Sequence, residues 1–311
     1  MRANELPNGF FPVMITPFKS NKNIDFDALR QLTDFYLASG CKGLFANCLS
    51  SEMFHLTEAE RLMVTRTVID QVDGKVPVIA SATFGKELDH NATFTSKLQD
   101  IGVHTAVIIT NQLVDEHESE KVLLAKLEEL YEATNDISFG LYECPVPYKR
   151  LISPDLLDII SQSGRFTYLK DTSCDLDQIR SKVIAMQGTK LKLFNANTPT
   201  FLASMRLGAC GVSPIAGNFF PEFFSYLIAN GSDKNVSNDL NQIVTILDEM
   251  TGNKFYPMSP KLFLKMRGLD IEPITRVEVP AFEKQDLIKL HAMLDFFIAT
   301  AKNLGIKLAS D

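Results

Sequence analysis

The chain has 311 residues, 45% of them hydrophobic and 22% charged, and a formal net charge of −7. This is enough ordinary globular sequence for a large core, and α/β barrels reach this size as a single unit. The acidic balance, with no Lys/Arg run, argues against nucleic acid or an anionic membrane as a main partner, and no stretch approaches the roughly 18 apolar residues of a membrane span.

In chain order, Gly9 to Pro17 is an apolar run that reads as strand 1. Asp25 is a candidate N-cap for a helix over Ala28 to Ala38, which Gly40 closes. Gly43 to Asn47 reads as strand 2, and Thr57 and Glu60 form a capping box for a helix reaching about Val72. Val76 to Ser81 is strand 3, with a helix over Leu88 to Ile101. Ala106 to Thr110 is strand 4, with a helix over Ser119 to Ala133. Ile137 to Tyr142 is strand 5, and Ser153-Pro154 opens the next helix with a proline in its first turn. Phe166 to Lys170 is strand 6, and its helix runs from Leu176 to Met186. Lys190 to Asn195 is strand 7, followed by a helix from Thr198 to Leu207. Gly211 to Ser213 is strand 8, followed by a helix from about Pro221 to Ala229.

Short apolar strands alternating with amphipathic helices imply a parallel sheet, and eight such units fit a closed (β/α)8 TIM barrel. An open doubly wound sheet would bring a glycine-rich phosphate turn after strand 1. That position reads Thr16-Pro17-Phe18-Lys19, and neither GxGxxG nor GxxxxGK[ST] occurs. Past Asn230 to Asp233, three further helices are expected, over Asn235 to Met250, Ser259 to Arg267 and Glu283 to Leu304. The expected organisation is therefore a barrel over residues 1–230 and a C-terminal helical extension over 231–311, packed on the barrel without a linker.

Five cysteines, an odd number with no CxxC pair, fit a reducing, cytoplasmic setting better than a disulfide framework or a zinc site. Met1 to Asn8 has no apolar segment of signal-peptide type. The five histidines are scattered without ligand spacing, so no metal site is expected.

A barrel collects its chemistry at the C-terminal ends of its strands. Those ends carry Thr16, Ser50, Ser51, Glu52, Tyr142, Glu143, Lys170, Asp171, Asn195 and Ser213, among others. Lys170 ends a buried strand. Burial lowers an amine's pKa and makes it a better nucleophile, although a strand-end lysine can also simply reach water. Tyr142 ends the neighbouring strand. An amine, a phenol and hydroxyl donors suit Schiff-base chemistry on a ketone. Cys48 and Cys144 lie near this point and read as small apolar fillers.

Five segments, in this order and spacing, resemble the dihydrodipicolinate synthase / N-acetylneuraminate lyase family of class I pyruvate-type aldolases. They are Val13 to Phe18, Ser51 to Arg61, Leu141 to Pro145, Leu169 to Ser173 and Gly208 to Ser213. The resemblance implies a Schiff base on Lys170, proton shuttling by Tyr142, and a small 2-keto acid as substrate. It also implies a homo-oligomer (a tetramer built as a dimer of dimers, or a dimer) and no metal or organic cofactor.

The departures bear on substrate. Where the family reads Gly-Ser/Thr-Thr-Gly-Glu to hold the keto-acid carboxylate, this chain reads Cys48-Leu49-Ser50-Ser51-Glu52. Ser50 falls on the second hydroxyl, Leu49 replaces the first, and both glycines are gone. That loss is expected to restrict the loop. The second tyrosine of the synthases is replaced within Asn111-Gln112-Leu113, and their substrate arginine by Pro147, with Arg150 a candidate substitute. Thr198-Pro199 stands where the sialate lyases carry an Asp-Glu pair. The expected substrate contacts are thus Ser50, Ser51, Thr16, Ser213 and Arg150. Glu52 is expected to tie down the loop. A Schiff-base lyase or aldolase is the leading reading, beside a keto-sugar-acid dehydratase using the same lysine and a non-catalytic keto-acid-binding relative.

Overall fold

The computed structural model describes residues 5–134, 136–231, 234–251 and 253–310. The strands are β1 (Gly9–Phe10), β2 (Leu44–Ala46), β3 (Val78–Ser81), β4 (Thr105–Ile109), β5 (Ser138–Tyr142), β6 (Phe166–Asp171), β7 (Lys192–Asn195) and β8 (Gly211–Val212). All pair in parallel, in the order β1-β8-β7-β6-β5-β4-β3-β2. The chain past β1 closes the ring. Val13 bridges Phe45, Phe45 N donates to Pro12 O, and Met14 N donates to Phe45 O. The expected TIM barrel is therefore present.

Strand 1 is the main difference from expectation. Only its first two residues form a ladder with β8, because Pro12 has no N–H and the chain there turns toward β2.

The helices between strands are α1 (Phe26–Ala38), α2 (Glu58–Val72), α3 (Leu88–Asp100), a single turn α4 (Thr110–Leu113), α5 (Glu120–Glu132), α6 (Pro154–Ser161), α7 (Leu176–Ala185), α8 (Phe201–Arg206) and α9 (Pro221–Asn230). Their starts follow the local signals. Asp25 accepts from Ala28 N, Thr57 and Glu60 cap reciprocally, and Ser153 accepts from Leu156 N ahead of Pro154. Helix α8 begins three residues later than Thr198 suggests, since Asn197 and Thr200 first close a hydrogen-bonded turn.

Inside the barrel, Phe11, Phe45, Ile79, Val107, Ile109, Tyr142, Tyr168 and Phe194 form one buried cluster. The Phe194 ring lies 4.7 Å from both Phe11 and Tyr168, centroid to centroid. Gly43 is required by this packing, because a Cβ there would lie 2.1 Å from the Phe11 ring.

Beyond α9 come α10 (Lys234–Met250), α11 (Met258–Met266) and α12 (Lys284–Asn303). The expected boundary residues Ser232 and Asp233 lie outside the described residues, as do Met1 to Asn4. Leu240, Val244, Phe263, Met293 and Phe297 of these helices share one core with Phe219, Phe220 and Phe223 beside the barrel. Arg267 is buried between the rings of Phe35 and Phe297 and pairs with Glu222. Among the described residues no helix is long and apolar enough to cross a membrane.

Candidate active site

Lys170 and Tyr142 are register partners on β6 and β5, near the C-terminal ends of both strands. The Lys170 Nζ lies 4.7 Å from the centre of the Tyr142 ring and 5.7 Å from that of Phe45. Burial lowers the Lys170 pKa, with the Cys48 and Cys144 sulfurs acting weakly the other way. Three lysines are buried among the described residues: Lys170 at 4%, Lys182 at 1% and Lys261 at 0% exposure. Lys182 pairs with Glu143 and Asp171, and Lys261 with Glu52. Lys261 is also drawn down by burial, to about 8, but its amine is held between Glu52 Oε1 and the Ile274 carbonyl. Lys170 has aromatic faces and thiols around it and forms none of the described salt bridges. A buried amine without a counter-ion is poised to be neutral.

Burial pushes the pKa of the Tyr142 phenol well above the usual value, with the neighbouring Cys144 and Cys48 thiols adding to the rise. It therefore carries its proton at neutral pH and can act first as a donor. Leu49 packs against the same cluster at the position of the family's first loop hydroxyl. Cys144 shares that buried cluster with Tyr142, and its thiol donates to the Val146 carbonyl at 3.4 Å.

The β2 loop folds as two short 3-10 turns, Leu49–Ser51 and Met53–His55. Thr16 Oγ1 donates to Ser51 O, and Ser51 Oγ donates to Met14 O while accepting from Cys48 N. These two hydroxyls hold the loop against the chain leaving β1. Ser50 Oγ differs, for it accepts a hydrogen bond of 2.6 Å from the Tyr256 phenol. The lost glycines do not strain the backbone. Cys48 is extended at φ −114°, and the left-handed positions are Asn47 at φ 52° and Glu52 at φ 58°. Glu52 anchors the loop to the C-terminal extension by accepting from Lys261 Nζ and from the amides of Arg276 and Val277.

Because side chains alternate along a strand, Glu143 and Asp171, which follow the pair, turn to the opposite face. There Lys182 of α7 donates to Glu143 Oε1 at 2.5 Å and to Asp171 Oδ2 at 2.6 Å. Glu143 also accepts from Ile152 N and Thr172 N. Burial and the Asp171 charge push Glu143 up to about 7 against the pull of Lys182. One lysine thus ties together the two strand ends that carry Tyr142 and Lys170.

The remaining expected residues are placed as follows. The Ser213 hydroxyl bonds the Tyr168 phenol at 2.9 Å, inside the barrel. Arg150 does not present itself as a carboxylate clamp. Its NH1 donates to Asp115 O and Glu116 O and its NH2 to Glu118 O, so it clasps the loop after α4. Among the described residues no group of three or more His, Cys, Asp or Glu is placed to hold a metal ion. The arrangement can attack a carbonyl with the Lys170 amine and deliver protons from Tyr142. Tyr256, 206 residues from its partner Ser50, gave no signal in the sequence pattern.

Comparison with known proteins gives the family and the fold. The family model described as "Dihydrodipicolinate synthetase family" matches residues 6–296. A 4-hydroxy-tetrahydrodipicolinate synthase of Staphylococcus saprophyticus is 24% identical over 285 residues, 91% of this chain and 94% of that one. Among solved structures, the Escherichia coli K12 prophage protein YagE, crystallised in complex with pyruvate, is similar with a TM-score of 0.84 at 20% identity, covering 94% of this chain and 98% of its own. A dihydrodipicolinate synthase variant described as monomeric matches with a TM-score of 0.86 at 19% identity, covering 95% and 98%.

Proposed function

The chain belongs to the dihydrodipicolinate synthetase family of class I Schiff-base aldolases, and on that premise we propose that it is a lyase or aldolase that binds pyruvate or another 2-keto acid covalently through Lys170. The observation that carries this reading is the environment of Lys170: a buried amine with no carboxylate partner, in register with Tyr142. The neutral amine attacks the keto carbon to give a carbinolamine. Its hydroxyl leaves as water with a proton from the Tyr142 phenol, and the C=N bond forms. Loss of a proton from the adjacent carbon gives an enamine. The enamine can attack an aldehyde or, in reverse, be released from a cleaved C–C bond.

Ser50 forms the keto-acid end of the site, on a loop that the Ser51 and Thr16 hydroxyls brace, and Ser213 holds the Tyr168 phenol. Arg150 is assigned to the loop and not to the substrate. The test is borohydride reduction in the presence of pyruvate, followed by peptide mass spectrometry. An adduct on Lys170 supports the reading, and an unmodified Lys170 across a panel of keto acids overturns it.

A non-catalytic keto-acid-binding relative is favoured by one observation, that Leu49 stands where a relay hydroxyl belongs and the Tyr142 phenol meets a thiol. That reading gives the adduct but no exchange of the pyruvate methyl protons with solvent deuterium. We also assign the protein to the cytoplasm and to a homo-oligomer, tetramer or dimer. The exposed apolar side chains Leu287, Ile288, Phe296 and Ile298 on α12 support the assembly. Sedimentation as a monomer at micromolar concentration contradicts it.

A further inference from the structure

A chain of hydrogen bonds, buried at its α1 end and partly buried at the loop, links four separate segments from α1 to the β2 loop. Asn218 lies in the 3-10 turn Ile215–Asn218 after β8. Its Nδ2 donates to the Val13 carbonyl at 2.9 Å and to the Tyr256 oxygen at 2.8 Å. A carbonyl can only accept, so the amide orientation is fixed by Val13. Asn218 Oδ1 therefore faces Tyr36, whose phenol donates to it. The Tyr256 oxygen accepts from Asn218, and the Tyr256 proton has one described acceptor, Ser50 Oγ at 2.6 Å. The direction of every bond follows from the one before it. The chain leaves a single proton unassigned, that of the Ser50 hydroxyl, for which no acceptor is described.

Ser50 is 3% exposed, so its proton cannot be left to bulk water. It lies two residues past Cys48, which is buried in one cluster with Phe45 and Tyr142, the two rings beside the Lys170 amine. The loop that carries Ser50 therefore borders the Lys170 site. An accepting phenol or a mobile hydroxyl would be indifferent to charge. A hydroxyl that already accepts a phenol proton is committed to donating, and bonds in such a chain polarise one another. Its natural partner is an anion.

We propose that Tyr256, contributed by the C-terminal extension, is a positioning residue that commits the Ser50 hydroxyl to donate to the carboxylate of the bound 2-keto acid. The proposal rests on the reading of Lys170 above and adds to it a role for a segment outside the barrel. It also gives the extension a function at the site in a chain whose loop has Leu49 in place of a hydroxyl and Asn111-Gln112 in place of a tyrosine.

The test is the pyruvate concentration giving half-maximal borohydride-trapped adduct in the full-length protein. In Tyr256→Phe it is expected to rise about 5- to 10-fold, the upper range for loss of one neutral hydrogen bond, here the one that orients Ser50, with the trapped plateau unchanged. In a Ser50→Ala background the same substitution is expected to change nothing further. Asn218→Asp, which removes both donors and offers the phenol a carboxylate, gives an independent route. It is expected to raise the half-maximal concentration, even if Tyr256→Phe folds poorly. A Tyr256→Phe curve superimposable on wild type overturns the proposal, as does an equal effect with and without the Ser50 hydroxyl. Absence of any adduct in the wild-type protein overturns instead the Schiff-base reading on which it rests.

Discussion

Tyr142 and Lys170 face each other across adjacent parallel strands, with the lysine nitrogen 4.7 Å from the centre of the tyrosine ring. Burial keeps the proton on the phenol and holds the amine below its ordinary pKa. Tyr142→Phe keeps the ring beneath the amine and removes the proton. It is expected to leave the Lys170 adduct attainable but to slow its formation by roughly 10²-fold or more, the usual worth of a positioned acid–base group. Rapid-quench trapping measures this, and an unchanged rate removes Tyr142 from the mechanism.

The lowered Lys170 pKa sets a pH dependence. The neutral amine attacks, so the rate of adduct formation rises with pH and levels once the amine is deprotonated. The midpoint is expected below the ordinary lysine value of 10.5. A rate still climbing at that pH would show an amine that burial does not perturb.

Burying Lys170 without a counter-ion also has a stability consequence. Its folded pKa is depressed, so the unfolded chain binds its proton more tightly and the native state is penalised below the folded pKa. Lys170→Met is therefore expected to raise the melting temperature, with the gain shrinking as pH rises toward that of the free amine. Replacing buried charge with apolar volume is commonly worth about 1–4 kcal/mol in this direction. A destabilised variant would mean that Lys170 is part of the scaffold.

Lys182 is the opposite case. It holds Glu143 and Asp171 together behind Tyr142 and Lys170. Lys182→Met leaves two buried carboxylates facing each other and is expected to cost about 3–5 kcal/mol in denaturant unfolding. In wild type, Glu143 is raised to about 7, above its unfolded value. Between about 4.5 and 7 the native state holds a proton that the unfolded chain has released, so this group's stabilising contribution falls as pH rises through that window. Glu143→Gln is expected to flatten that slope, and a slope of equal size would place its origin elsewhere.

Arg150→Ala separates a loop clasp from a substrate clamp. Three carbonyls, of Asp115, Glu116 and Glu118, lose their donors. The substitution is expected to destabilise by about 1–3 kcal/mol while leaving half-maximal pyruvate within about twofold. A large change in pyruvate affinity would return Arg150 to the substrate.

The barrel was legible because its signals are local. Asp25, Thr57 with Glu60, and Ser153 with Pro154 open helices where capping chemistry puts them, and alternation supplied the parallel sheet. Strand 1 was misjudged because an apolar run does not say which neighbour it pairs with, and Pro12 divides it between β8 and β2. The loop glycines were expected to matter for conformational freedom, but the left-handed positions are Asn47 and Glu52. Arg150 reads from sequence as a substrate contact because the carbonyls it binds carry no sequence signature. Tyr256 and Lys182 were invisible for the same reason: each reaches its partner from another segment, and composition does not record direction.

The central claim is covalent. Wild-type protein incubated with pyruvate and borohydride should yield one modified peptide, with the reduced pyruvyl adduct on Lys170, and Lys170→Met should yield none. An unmodified Lys170 in the wild-type protein, or an adduct that persists in Lys170→Met, would contradict the account.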